Sequence, residues 1–261
     1  MKGFLTRLVS GIGIVAVYIA AYLLRGTVGL ELFIAFLNFG AIFEIFKVTW
    51  FEERRFLYPF ALVTGVMMPF VEFPLLLAFL FVLVTFILSI ANFGKAKMGN
   101  TVFLAFMTLF VSISLSSIVW LRNFDRFEYT LPLILGASVC DVFCYVCGML
   151  FGKHKLCPNI SPKKTVEGAV GGALITSGAF VLYAYLVGFN LVTMAVVGVL
   201  VGIFSQIGDL TASIIKREFD VKDFSQLIPG HGGIMDRVDS WIFTAPIIYT
   251  GVSILSSIGG L

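Results

Sequence analysis

The sequence predicts an all-α, polytopic integral membrane helix bundle of about nine transmembrane helices with its N-terminus in the cytoplasm. Three observations carry that prediction. Of 261 residues, 59% are hydrophobic and only 13% charged, with a mean hydropathy of +1.02, too little polar material to wet a soluble globule of this size. Apolar runs recur at the length a bilayer core demands, about 20 residues. The basic residues fall almost entirely on one side of those runs.

Taken in order, the runs cover 4–24, 28–47, 56–71, 74–91, 101–121, 129–151, 166–187, 191–215 and 241–258. The first follows Lys2 and Arg7 as a signal peptide would, but it is long enough to span and lacks a small-residue cleavage site. It reads as a retained first helix. The third and fourth are short, because Pro69, Glu72 and Pro74 leave only a minimal turn between them. A tilted or re-entrant arrangement there is compatible with the pattern. Alternating sides across nine spans puts 15 of the 18 Lys and Arg residues on the N-terminal side, leaving only Arg25, Arg122 and Arg126 opposite. Miscounting one span would mix the two sets, so the segregation predicts a cytoplasmic N-terminus, an outer C-terminus and cytoplasmic polar loops. No linker or repeat interrupts residues 1–261, which read as a single membrane domain.

The net charge of +3 is small and its cations sit in short loops, not along a stripe, which excludes nucleic acid as an expected partner. Cys140, Cys144 and Cys147 have the C-x3-C-x2-C spacing of some iron–sulfur enzymes, but that spacing is also one helical face. Inside an apolar run, Cys behaves as a small hydrophobe that lets helices approach, and packing is the favoured reading.

Three polar islands interrupt the hydrophobicity. The richest is 213–240, with five acidic residues, four basic residues and His231 between two spans. Its run Pro229, Gly230, His231, Gly232, Gly233 can offer backbone N–H groups to an anion, and the flanking glycines leave His231 accessible. Asp236 and Asp239 follow three residues apart, on one face of a helix, as two carboxylates holding a hard cation must be. Arg237 beside them suits phosphate. The second island is a pair of carboxylates, Asp141 and Asp209, inside apolar runs, where an ionised group needs a polar cavity, a partner or a metal. The third spans 151–168, with Lys153, His154 and Lys155 followed by Ser161, Pro162, Lys163, Lys164, Thr165, Glu167 and Gly168. His154 reads as solvated. Thr165 can cap the helix that follows, whose N-terminus favours an anion near the lysines, and Gly168, Gly171 and Gly172 let another helix come close.

These residues resemble the signature of the CTP-dependent phosphatidate cytidylyltransferase family: S-x-x-K-R, then K-D, then P-G-H-G-G-x-x-D-R-x-D. Here they are Ser213, Lys216, Arg217, Lys222, Asp223, Pro229, Gly230, His231, Gly232, Gly233, Asp236, Arg237 and Asp239. Asp141, Tyr145 and Gly148, the Ser161 to Gly168 element, and Gly208 with Asp209 extend the likeness over 138–240, the expected catalytic part; the N-terminal half is similar only in hydropathy and in a basic start before the first span. Cys144 departs from the small residue usual before the tyrosine, without expected loss.

The resemblance implies transfer of the cytidylyl group of CTP to phosphatidate, giving CDP-diacylglycerol and pyrophosphate, on the cytoplasmic side of a bacterial-type membrane. It implies Mg²⁺ held by Asp209, Asp236 and Asp239, with a second cation left open. It gives Lys216, Arg217, Lys222 and Arg237 to phosphates, and Ser161, Lys163, Lys164 and Thr165 to the nucleotide or the lipid headgroup. Asp141, Glu167, Asp223 and His231 complete the expected site. Membrane lipid is the expected environment, and a homodimer is left open. A CTP-dependent kinase of a polyprenol or other lipid alcohol is the nearest alternative. A transporter is a second, disfavoured because its polar groups would lie at the bilayer midplane, not at one face.

Overall fold

The computed structural model describes Leu23 and residues 27–124, 130–228 and 232–257. Apart from Leu23, the first expected span, 4–24, lies outside the described residues. The remaining expected spans all coincide with helices, and five of these are long and apolar enough to cross a membrane. The chain is an integral membrane protein built almost wholly from helices, grouped into two compact units.

The first unit comprises Met1–Trp120 and Val221–Val238. Its helices are α1 (Gly29–Thr49), α2 (Arg54–Met67), α3 (Pro74–Ala91) and α4 (Met98–Trp120). A 3-10 turn over Met68–Phe70 ends α2, and Pro74 opens α3 at a position where its missing N–H costs nothing. That is how the short third and fourth spans are joined. α1, α2 and α4 pack on one another. At their meeting point the Asn38 amide donates to the Gly65 carbonyl at 2.9 Å, so a buried donor on one apolar helix finds its acceptor on another. α3 is different, with a mean hydropathy of 2.7 and only 11% of its apolar window buried, the composition of a helix whose other surfaces meet lipid. Glu53, also buried, accepts from the Lys97 backbone N–H and holds the start of α4.

The second unit comprises Leu121–Asp220 and Asp239–Leu261. It contains α5 (Thr130–Phe151), α6 (Val166–Val187), α7 (Leu191–Glu218) and all but the first turn of α8 (Met235–Ser257). α5, α6 and α7 pack against each other through small residues. A Cβ on Gly168 would stand 2.5 Å from the Cys144 carbonyl oxygen, and one on Gly172 would overlap the Cys144 sulfur. Cys140 is buried, its sulfur 3.3 Å from the Gly202 carbonyl. The cysteine face is therefore a packing face, as its helical spacing suggested, and all four cysteines are free.

One element departs from the all-helical expectation. Strands β1 (Lys155–Cys157) and β2 (Ser161–Thr165) form an antiparallel ribbon, with Lys155 opposite Thr165 and Cys157 opposite Ser161. A two-stranded ribbon consists only of edges, so Pro162 can sit in it without breaking a ladder. The ribbon's end is fixed to the helix it feeds: the Val166 N–H donates to the His154 carbonyl at 2.9 Å.

Candidate active site

Within the second unit, α5, the ribbon, α6 and α7 enclose a cavity of about 320 Å³. Asp141, Tyr145 and Met149 line it from α5, Lys163, Lys164 and Thr165 from β2, and Gln206 and Asp209 from α7. The structure thus brings together Asp141, Lys163, Lys164, Thr165 and Asp209, five residues named from sequence for substrate or metal. The Lys164 ammonium forms an ion pair with Asp209 Oδ2. Lys163 is exposed.

The local sequence explains this placement. Thr165 is the N-cap of α6, in extended conformation, and its hydroxyl accepts the Gly168 N–H at 3.2 Å. The cap and the ribbon together hold the two lysines at the start of a helix, where the exposed N–H groups and the helix dipole favour an anion. Gly148 and Gly168 make room for the cap: an added Cβ on either would lie within 2.9 Å of the Thr165 hydroxyl.

Other expected residues are engaged differently. Glu167 accepts the N–H groups of Lys153 and His154 at 3.1 and 3.2 Å, and pairs with the His154 ring at 2.6 Å. His154, expected to be solvated, is exposed but held. Ser161 lies on β2 opposite Cys157 and does not line the cavity. At the end of α7, Lys216 is half-buried and Arg217 exposed. Asp239 lies within electrostatic range of Asp209, Lys216 and Asp141. Its helix comes close to α7 at Gly208, where an added Cβ would be 2.5 Å from the Asp239 carbonyl oxygen.

In the first unit, Asp236 is buried, and its Oδ2 accepts the N–H groups of Phe224 at 2.9 Å and Gly233 at 3.0 Å. The anion that Gly233 meets is thus the chain's own carboxylate. Arg237, Lys222 and Asp223 are exposed. Pro229, Gly230 and His231 lie outside the described residues.

Sequence reasoning missed two residues. Gln206 lines the cavity and donates to the carbonyls of Gly202 and Ala169 at 2.9 and 3.1 Å. Glu44, on α1, is 1% exposed and accepts from Ser225, Ile234 and Met235. The available signal was the same for both, a strongly polar side chain inside an apolar run.

Among the described residues, no three His, Cys, Asp or Glu side chains form a metal cage. The donor set nevertheless fits Mg²⁺, which characteristically takes one or two carboxylates and completes its shell with water and substrate phosphates. Asp209 and Asp239, neighbouring carboxylates of the second unit, satisfy that requirement.

The fold and cavity define a helical membrane protein with an anion-receptive site at a helix start, lined by lysines and carboxylates. Residues 5–255 match the model of the cytidylyltransferase family, and the chain belongs to that family. It is similar to three proteins named phosphatidate cytidylyltransferase. That of Staphylococcus haemolyticus is 42% identical over 126 residues, 48% of this chain and 48% of the relative. That of Synechocystis sp. is 48% identical over 140 residues, 50% of this chain and 46% of the relative. That of Bacillus subtilis is 37% identical over 161 residues, 59% of each. The chain spans about half the length of the first two relatives.

Proposed function

We propose that this protein transfers the cytidylyl group of CTP to phosphatidate, yielding CDP-diacylglycerol and pyrophosphate, at the cytoplasmic face of the membrane. The observation that carries the reading is the cavity itself, where Lys163 and Lys164 stand at the capped start of α6 opposite Asp141 and Asp209. Family membership supports it. In the reaction a phosphate oxygen of phosphatidate attacks the α-phosphorus of CTP, and the bond to the bridging oxygen of pyrophosphate breaks. A phosphate monoester is largely dianionic near neutral pH, so no strong general base is required. Bringing two polyanions together requires compensating charge and fixed orientation.

Lys163 and Lys164 supply positive charge to the phosphates, and the α6 N-terminus adds its dipole. Asp209 holds Lys164 in place until a ligand phosphate takes over as its partner. Mg²⁺ held by Asp209 and Asp239 would neutralise phosphate charge and orient the polyphosphate, and Asp236 is the carboxylate of the first unit to which we give a metal-binding role. Lys216, Arg217, Lys222 and Arg237 are the cations available to the remaining phosphates.

Purified protein given CTP, phosphatidate and Mg²⁺ should release pyrophosphate and form CDP-diacylglycerol. Release of CDP with phosphorylation of a lipid alcohol would replace this reading by that of a kinase. Substrate flux in liposomes lacking CTP would replace it by that of a transporter.

A further inference from the structure

Glu44 sits near the end of α1, inside a span, with 1% of its surface exposed. A carboxylate there is costly unless strong donors surround it. Three do. The Ser225 hydroxyl donates to Oε1 at 2.6 Å, the Ile234 N–H donates to Oε1 at 2.9 Å, and the Met235 N–H donates to Oε2 at 2.8 Å. Met235 is the first residue of α8, so the N–H groups involved are among those a helix start leaves without internal partners, where a negative charge is stabilising. The fit leaves no slack, since a Cβ on Gly233 would overlap the Glu44 carboxylate.

Asp236 completes the arrangement from the other side. Its Oδ2 takes the Gly233 N–H, so the three successive N–H groups of Gly233, Ile234 and Met235 all end on carboxylates. Through Phe224 and Ser225 the same two carboxylates also hold the connector leading from α7. Glu44 therefore sets the position and rotation of the turn on which Asp236 is carried.

We propose that Glu44 is a positioning residue for the metal-binding function of Asp236: it fixes the α8 start, and through it the orientation of the Asp236 carboxylate. This inference rests on the metal role given to Asp236 above. Partners of that kind, once removed, typically cost about 10- to 100-fold in metal affinity.

The test is Mn²⁺ binding to the full-length protein in detergent, followed by the electron paramagnetic resonance of free Mn²⁺, alongside thermal unfolding. Glu44→Gln conserves volume but turns an N–H₂ toward a backbone N–H. It should weaken Mn²⁺ binding by about 10- to 100-fold in protein that remains folded. Asp236→Asn should weaken binding too, and the double variant should bind no more weakly than Asp236→Asn alone. A purely structural Glu44 would lower the unfolding temperature and leave Mn²⁺ affinity at the wild-type value; that result overturns the proposal. If Asp236→Asn binds Mn²⁺ like wild type, the metal role of Asp236 falls, and the role of Glu44 falls with it. If only Glu44→Gln is without effect, the Glu44 inference alone fails. Should Glu44→Gln not fold, Ser225→Ala decides the matter. It removes one of the three donors and should weaken Mn²⁺ binding by about two- to tenfold, and an unchanged affinity refutes the proposal.

Discussion

At the start of α8, Glu44 and Asp236 accept hydrogen bonds from main-chain N–H groups, whereas in the cavity of the second unit Asp209 is met by a side-chain cation, Lys164. Main-chain donors are part of the backbone and move only with it. A lysine head on its four-carbon stem can leave one anion for another at little cost. Two regions rich in carboxylates thus have different capacities. The first rests on donors that cannot leave the backbone. The second can exchange an internal partner for an anionic ligand.

The sharpest way to break this contrast is to remove one charge from each region. Asp209→Asn removes both the partner of Lys164 and a proposed cation ligand, and should lower turnover of CTP by about 100- to 1,000-fold, measured as pyrophosphate release. Asp236→Asn should abolish turnover while the protein stays folded and membrane-inserted, because the asparagine carbonyl can still accept from Phe224 and Gly233. Near-normal turnover in that variant would leave Asp236 a purely structural group. Lys164→Ala should cost about 10- to 100-fold, expressed chiefly as a higher KM for CTP, since a charged hydrogen bond to phosphate is lost. Thr165→Ala removes the cap of α6 and should lower stability by about 1 kcal/mol in detergent unfolding, with Thr165→Ser restoring it. The smallest effect belongs to joint replacement of Cys140, Cys144 and Cys147 by Ala, which should retain substantial activity because their sulfurs pack against glycines and main chain. Loss of bound iron or zinc together with activity would contradict that assignment.

What could be read in advance followed from local pattern. Hydropathy located most of the described helices to within a few residues, as with 28–47 against Gly29–Thr49 and 166–187 against Val166–Val187, whereas α8 begins at Met235, well before its expected span 241–258, because its first turn is polar. The Thr165 cap was legible because a capping side chain acts on a residue three positions away. The cysteine face was legible for the same reason. Glu44 was not, because its partners lie 181 to 191 residues further along the chain, and a hydropathy window averages a single carboxylate away. The ribbon over 155–165 escaped because it is a few residues long and polar, with neither alternation nor helical period to announce it. In 213–240 the glycines suggested a seat for an external anion, but no spacing rule could foresee that Asp236 would itself accept the Gly233 N–H.

Two of the α5 residues that line the cavity, Tyr145 and Met149, are 71% and 65% exposed, as is Val142 at 57% on the same face. The cavity therefore has an apolar threshold on its flank. For the proposed reaction, that threshold makes the lipid's concentration a surface quantity. Turnover would follow the mole fraction of phosphatidate among neighbouring lipids, not its amount per volume of suspension, and inert lipid would dilute the substrate without any change in the water around it. CDP-diacylglycerol would be handed back to the leaflet it came from, with both acyl chains never having left the oil.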